Sequence, residues 1–271
     1  AVDTPVGKVV HTGDFKIDTT PISGEMLDLT RFGELGKEGV LLLMADSTNA
    51  ERTGYTMSEK KVCQTFNTLF EKAEGRIIIA MFASNVHRIQ QVVDSAQHYG
   101  RKVCLTGRSM INVSTVAMQL GELRIPSDVM ISIDDLDRYP DEEIVVITTG
   151  SQGEQMSGLT RMAFSEHRKL DIKPSDMVII SANPIPGNEL SVSRVIDQLL
   201  RKGANVIYES LAEVHVSGHA CQEELKLMHA LIKPKFFIPV HGEYRMLSMH
   251  KRLAMSMGMA EDHVIIPRLG D

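Results

Sequence analysis

Residues 76–107 read RIIIAMFASNVHRIQQVVDSAQHYGRKVCLTG. Arg76–Ala83 is an apolar run without polar alternation, which is how a strand buried on both faces reads. Ser84-Asn85 interrupts it. Ile89, Val92, Val93 and Ala96 then recur at helical spacing, and Gly100 supplies the stop before a second apolar run, Lys102–Leu105. Strand–helix–strand alternation of this kind predicts α/β layers with mostly parallel strands.

The pattern continues in both directions. Further strand-length runs are Gly39–Ala45, Ile144–Thr148, Met177–Ile180, Asn205–Tyr208 and Phe236–Val240. One helical stripe holds Val62, Phe66, Leu69, Phe70 and Ala73, capped by Ser58 and stopped by Gly75. Another holds Val192, Val195, Ile196, Leu199 and Leu200 before Gly203. Leu225, Met228 and Ile232 precede Pro234; Leu247, His250, Ala254 and Met257 precede Gly258. Val6–Asp18 predicts a strand pair with a turn and no helix before it. Gly121–Glu143, with Pro126, Pro140 and many acids, predicts a surface excursion.

With 271 residues the chain has room for one large domain or two ordinary ones, and 43% apolar against 24% charged residues excludes wholesale disorder. No apolar run reaches membrane-spanning length, and the first thirty residues hold no signal-peptide pattern. Cys63, Cys104 and Cys221 are an odd, widely spaced set, which argues against a disulfide framework and for a reducing, cytoplasmic setting. A net charge of −6 excludes a bulk electrostatic grip on nucleic acid but leaves room for a local basic groove. Trp is absent and aromatics are 5%, so base stacking is not the main recognition mode.

In an open parallel sheet, ligands bind beyond the carboxyl ends of the strands. The apolar runs are succeeded by Asp46-Ser47-Thr48-Asn49, Ser84-Asn85, Thr106-Gly107-Arg108-Ser109, Thr149-Gly150-Ser151-Gln152-Gly153-Glu154, Ser181-Ala182-Asn183, His215-Val216-Ser217-Gly218-His219 and His241-Gly242-Glu243. Hydroxyls, amides and glycines before helices are ordinary caps, and they also present backbone N–H groups to an anion. Caps do not require imidazoles. His219 and His241, 22 positions apart with one helix between them, can reach one rim of a sheet, where a neutral ring ligates zinc or moves protons. Asp14, in an HTGDFK turn, and Asp46, at a strand end, read in isolation as turn residues. The other histidines, at 87, 98, 167, 229, 250 and 263, read as structural or solvated rings without partners.

The ordered set GKVVHTGDFK, LLMADSTNAE, FASNVHRIQQ, TTGSQGE, HVSGHACQEELK and IPVHGEYR strongly resembles ribonuclease J, the RNA-processing branch of the metallo-β-lactamase superfamily that carries a β-CASP insertion. The resemblance spans nearly the whole chain. It implies a doubly wound, mostly parallel α/β β-CASP domain plus an incomplete metallo-β-lactamase (αββα) domain. The implied boundaries are 1–54 for the first metallo-β-lactamase part, 55–212 for β-CASP and 213–271 for the return.

The resemblance also implies roles position by position. Asp14 matches the aspartate that bridges two divalent metal ions, zinc or manganese, and His241 the third β-CASP motif, a ligand of the second ion. Asp46 matches the first motif. His219 matches the second, placed to protonate the leaving oxygen, with Asp46 holding its tautomer and raising its pKa. Ser84, Asn85, His215, Val216, Ser217, Gly218 and His219 match positions that hold substrate phosphates. The implied activity is two-metal hydrolysis of RNA, internally and stepwise from a 5′-monophosphate end, by a cytoplasmic homo-oligomer (dimer or tetramer) with no membrane partner.

The family's HxHxDH motif and a further ligand histidine have no counterpart in these residues: no two of the ten histidines are spaced as HxH. The expectation is therefore a piece that begins partway through the metallo-β-lactamase domain, stops before the family's C-terminal domain, and is inactive alone. A different class, a non-catalytic nucleotide- or RNA-binding α/β module, explains the phosphate-friendly loops but leaves SGH and VHGE as coincidence. Another β-CASP nuclease is the sibling alternative.

Overall fold

The computed structural model describes residues 1–185, 187–268 and 270. They fall into two compact units, Ala1–Ser58 with Val216–Asp271, and Glu59–His215. The first opens on a hairpin of β1 (Val2–Thr4) and β2 (Gly7–His11), antiparallel with Thr4 opposite Gly7. The predicted pair over Val6–Asp18 is thus displaced toward the N-terminus. The reason lies at Gly13, whose φ of +63° takes the chain off the sheet; Phe15 and Ile17 then turn inward as buried anchors. Helix α1 (Leu29–Glu38), which has no clear apolar stripe in the sequence, is capped by Asp28, whose carboxylate accepts from the Arg31 N–H at 2.9 Å. At Gly36 a β-carbon would run into the Leu231 carbonyl, so only glycine allows the two backbones this approach. Strand β3 (Leu42–Asp46) then pairs parallel with β2.

The second unit contains α2 (Glu59–Lys72), β4 (Ile77–Ala80), α3 (Val86–His98), β5 (Lys102–Leu105), α4 (Arg108–Leu120), β6 (Ile144–Thr148), α5 (Gly158–Ala163), β7 (Met177–Ile180), α6 (Glu189–Arg201) and β8 (Asn205–Ile207). Its sheet runs β5-β6-β4-β7-β8 with every pairing parallel. Ile77, Ile78 and Ile79 are all 0% exposed, and each such side chain contributes roughly 1.5–3 kcal/mol of burial free energy. A buried Arg76–Asp176 pair, with bonds of 2.8 and 2.7 Å, ties the entrances of β4 and β7. Residues 121–143 are irregular, with 3₁₀ turns at Ile133–Arg138 and Asp141–Glu143, yet they are not a surface excursion. Leu123, Val129 and Leu136 are buried, and Ile131 N–H donates to the Val103 carbonyl, so the segment covers the edge of β5.

The chain returns to the first unit through α7 (Gln222–Ile232), β9 (Phe236–Val240) and α8 (Tyr244–Ser256). Strand β9 pairs parallel with β3, completing the order β1-β2-β3-β9. One core draws on both halves, with Val10 and Leu43 packed among Leu225, Phe237 and Leu253. The three cysteines are free. Among the described residues no helix is long and apolar enough to cross a membrane.

Candidate active site

Because β2, β3 and β9 are parallel neighbours, their carboxyl ends lie on one edge of the sheet. Asp14 follows β2, Asp46 ends β3, His241 follows β9, and the 217–219 loop leads into α7. One donor atom from each of Asp14, Asp46, His219 and His241 lies within 4.8 Å of the others, all in the first unit. The structure thus brings together four residues far apart in sequence.

Their surroundings assign the protons. Asp46 is buried, with both oxygens engaged: Oδ1 accepts from the Thr48 N–H at 3.0 Å and hydroxyl at 2.8 Å, and Oδ2 pairs with His219 Nδ1 at 2.7 Å. Burial pushes the Asp46 carboxyl up, but the His219 and Thr48 hydrogen bonds outweigh it and hold the carboxyl below its ordinary value. The same bond to Asp46 raises the His219 pKa against the opposing effect of burial. His219 Nδ1–H therefore points at Asp46, and Nε2 is the atom left for chemistry.

Thr48 has one hydroxyl proton and two oxygen acceptors in reach, Asp46 Oδ1 at 2.8 Å and the His241 carbonyl at 3.0 Å; given to either, it leaves an oxygen that accepts. His241 Nδ1, 2.7 Å away, is then the donor to Thr48, and the His241 proton sits on Nδ1. Its Nε2 lone pair faces Asp14 Oδ1 across 3.7 Å. Two acceptors face each other there, an arrangement that a cation between them would stabilise. A zinc-binding histidine has its other ring nitrogen donating to a neighbouring oxygen, as here. Asp14 and His241 thus fit one edge of a divalent-metal site, although a closed site needs more than two protein ligands. His241 adopts φ +56°, a left-handed conformation uncommon for a non-glycine residue, and stacks on His219 with centroids 5.2 Å apart.

The loops are pinned by Asn49, Thr56 and Glu224, which the sequence marks out no further than ordinary turn and cap residues. Asn49 Nδ2 donates to Ser217 Oγ at 2.8 Å and the His219 carbonyl at 2.9 Å, and the Thr56 hydroxyl donates to that carbonyl at 2.7 Å. Glu224, 0% exposed, accepts the N–H groups of Ile17 at 2.7 Å, Thr56 at 2.6 Å and Cys221 at 2.9 Å, so one carboxylate fixes three loops. The one signal for it is the capping-box position of Glu224 ahead of an apolar stripe. His229 and His250, expected to lack partners, are instead buried against each other with Nε2 atoms 3.3 Å apart, and His250 Nδ1 meets Ser47 Oγ at 2.9 Å.

Of the remaining site positions, Val216, Ser217 and Gly218 belong to the first unit and lead into His219. Ser84, Asn85 and His215 belong to the second. Asn85 caps α3, its Oδ1 accepting from the Arg88 N–H at 3.1 Å, with Ser84 in the turn before it. His215 Nδ1 lies 2.7 Å from an Arg88 guanidinium nitrogen.

The mostly parallel sheets, with the second unit inserted into the first, are consistent with a β-CASP/metallo-β-lactamase fold. Residues 74–199 match the family described as Ribonuclease J, beta-CASP domain, and residues 203–267 the Zn-dependent metallo-hydrolase RNA specificity domain. The chain is 49% identical to a Ribonuclease J of Helicobacter pylori (strain ATCC 700392 / 26695), covering 100% of this chain and 39% of that protein. Identity is 46% to a Ribonuclease J of Synechocystis sp. (strain ATCC 27184 / PCC 6803 / Kazusa), covering 100% and 42%, and 45% to Ribonuclease J2 of Bacillus subtilis (strain 168), covering 99% and 48%. The chain belongs to the ribonuclease J family, and it spans less than half the length of these curated relatives. A crystal structure of a protein of unknown function from Enterococcus faecalis V583 superposes with TM-score 0.62 at 18% identity, covering 99% of this chain and 58% of that one, a likeness of fold alone.

Proposed function

We propose that this chain is part of a metal-dependent ribonuclease that hydrolyses RNA phosphodiesters internally and stepwise from a 5′-monophosphate end. The observation that carries the reading is the Asp46–His219 dyad beside the Asp14–His241 edge. Asp14 and His241 would hold a divalent ion together with ligands beyond these two. Such an ion, when bound, supplies hydroxide at neutral pH and neutralises charge on the phosphorane-like transition state. The chain's own contribution is proton transfer. His219, held by Asp46 in the Nδ1–H orientation with its pKa raised, keeps a proton on Nε2 to give to the leaving oxygen. Thr48 keeps Asp46 ionised and His241 turned, while Asn49 and Thr56 hold the His219 backbone. In this reading Ser84, Asn85, His215, Val216, Ser217, Gly218 and His219 are the phosphate-holding positions. The domains divide as 1–54, 55–212 and 213–271 in the same reading, and the whole protein is a cytoplasmic homo-oligomer.

The test uses the whole protein on a 5′-monophosphorylated RNA. His219→Ala should lower turnover by about two or more orders of magnitude, as loss of a general acid does, with metal content unchanged. His241→Ala should lower both turnover and bound metal. Full activity in both variants would overturn the assignment. The 271 residues alone, with two ligands of the edge, should show no EDTA-sensitive cleavage.

A further inference from the structure

Arg88 is 1% exposed and stands at the start of α3. Its Nε donates to Glu59 at 2.8 Å and Nη2 bonds the same carboxylate oxygen. Nη1 donates to the Ser181 carbonyl at 3.1 Å and reaches His215 Nδ1 at 2.7 Å. Ser181 Oγ in turn donates to the Val214 carbonyl at 2.6 Å, holding the chain just before His215. One buried guanidinium thus ties together α2, α3, the end of β7 and the segment leading out of the unit.

This has a consequence for the imidazole. A guanidinium nitrogen is always a donor in a protein, so His215 Nδ1 must accept. A neutral ring whose Nδ1 accepts carries its proton on Nε2. Phosphate oxygens only accept, so a ring that holds phosphate must present N–H, and the alternative tautomer would present a lone pair on Nε2. We propose that Arg88 is a positioning residue that fixes His215 as the Nε2–H tautomer and so makes it a phosphate donor. The functional half of this rests on the reading of His215 as a phosphate-holding residue; the tautomer half does not.

Long-range imidazole ¹H–¹⁵N correlation spectra of the 271-residue chain, with His215 assigned by its loss in His215→Gln, test the tautomer directly. Wild type should show Nδ1 as the unprotonated and Nε2 as the protonated nitrogen. Arg88→Lys keeps the charge but not the fork, and should give a mixture of tautomers, with backbone amide spectra verifying the fold. A wild-type ring protonated on Nδ1 overturns the proposal without recourse to any variant. So does a folded Arg88→Lys chain that retains the pure Nε2–H form. In the whole protein, Arg88→Lys should weaken binding of a 5′-monophosphorylated RNA about tenfold, the scale of one hydrogen bond to a charged group. A shifted tautomer with unchanged RNA affinity would overturn the phosphate reading of His215, and with it the use assigned to Arg88.

Discussion

A single hydroxyl decides how two site residues present themselves. The Thr48 hydroxyl meets Asp46 and takes a proton from His241, so removing it disturbs a carboxylate and an imidazole together. If His241 holds a divalent ion as proposed, Thr48→Ala in the whole protein should weaken binding of zinc, used as the probe ion, about 10–100-fold, the usual effect of losing a group that orients a metal-binding histidine, while Thr48→Ser should retain most of it. Competition against a chromophoric chelator measures this without reference to turnover; equal affinity in wild type and Thr48→Ala would refute the proton assignment. Glu224 works through the backbone instead. Glu224→Ala strips the acceptor from three N–H groups, those of Ile17, Thr56 and Cys221, each costing about 1–3 kcal/mol if left buried and unpaired. A loss of about 3 kcal/mol or more in urea unfolding is the expected outcome, and a change below about 1 kcal/mol would mean that water takes over the role of the carboxylate.

Between elements, the contact of α7 and α8 over β9 carries a pH dependence. His229 from α7 and His250 from α8 meet edge-on to Phe237 of β9, with centroids 4.5 and 4.6 Å from its ring. Burial lowers the His229 pKa to about 4 and holds that of His250 well below its ordinary value. Both rings are thus neutral in the folded protein, while in the unfolded chain they take up protons below about pH 6.5. The unfolded state therefore binds more protons on acidification, and stability falls as pH drops from about 6.5 toward 4. For His229 alone the loss between about pH 7.5 and pH 5 should be about 2 kcal/mol. His229→Phe should lose about that much less than wild type in paired urea titrations at the two pH values; an identical drop would show that the ring is already charged inside. These two histidines also mark where sequence ceases to inform. Their helical spacing places them on apolar stripes, but the partner of each lies on another helix, and only tertiary packing pairs them. The strands are legible because isoleucine and valine runs buried on both faces have a local signature. Helix α4 is not, because RSMINVSTVAMQL mixes β-branched and hydroxyl residues with only three buried positions, Met110, Ser114 and Ala117. His219 and His241 stand out at strand ends because turns do not need imidazoles, whereas Asp14, Asp46, Thr48, Asn49 and Thr56 have the composition of any turn.

For the molecule as a whole, chain connectivity sets which part can fold by itself. Glu59–His215 is one continuous segment with its own five-stranded parallel sheet, and its core cluster, from Ile78 to Val206, is drawn from within it. The other unit is assembled from both ends of the chain. Strand β3 takes β9 as its neighbour, with Leu43 opposite Phe237, and Glu224 from the return bonds Ile17 and Thr56 from the opening. Residues 1–58 alone would leave β3 an unpaired edge with its apolar side chains uncovered. Expressed by itself, 59–215 should therefore give a helical far-UV spectrum and one cooperative urea transition, whereas 1–58 should be unfolded or aggregated. The buried Arg76–Asp176 pair supplies the control: Asp176→Ala leaves an uncompensated guanidinium at the entrance of the sheet and should cost the isolated segment about 3–5 kcal/mol. A segment 59–215 that melts without cooperativity, or that Asp176→Ala leaves unchanged, would mean that the core of this unit does not hold it together unaided.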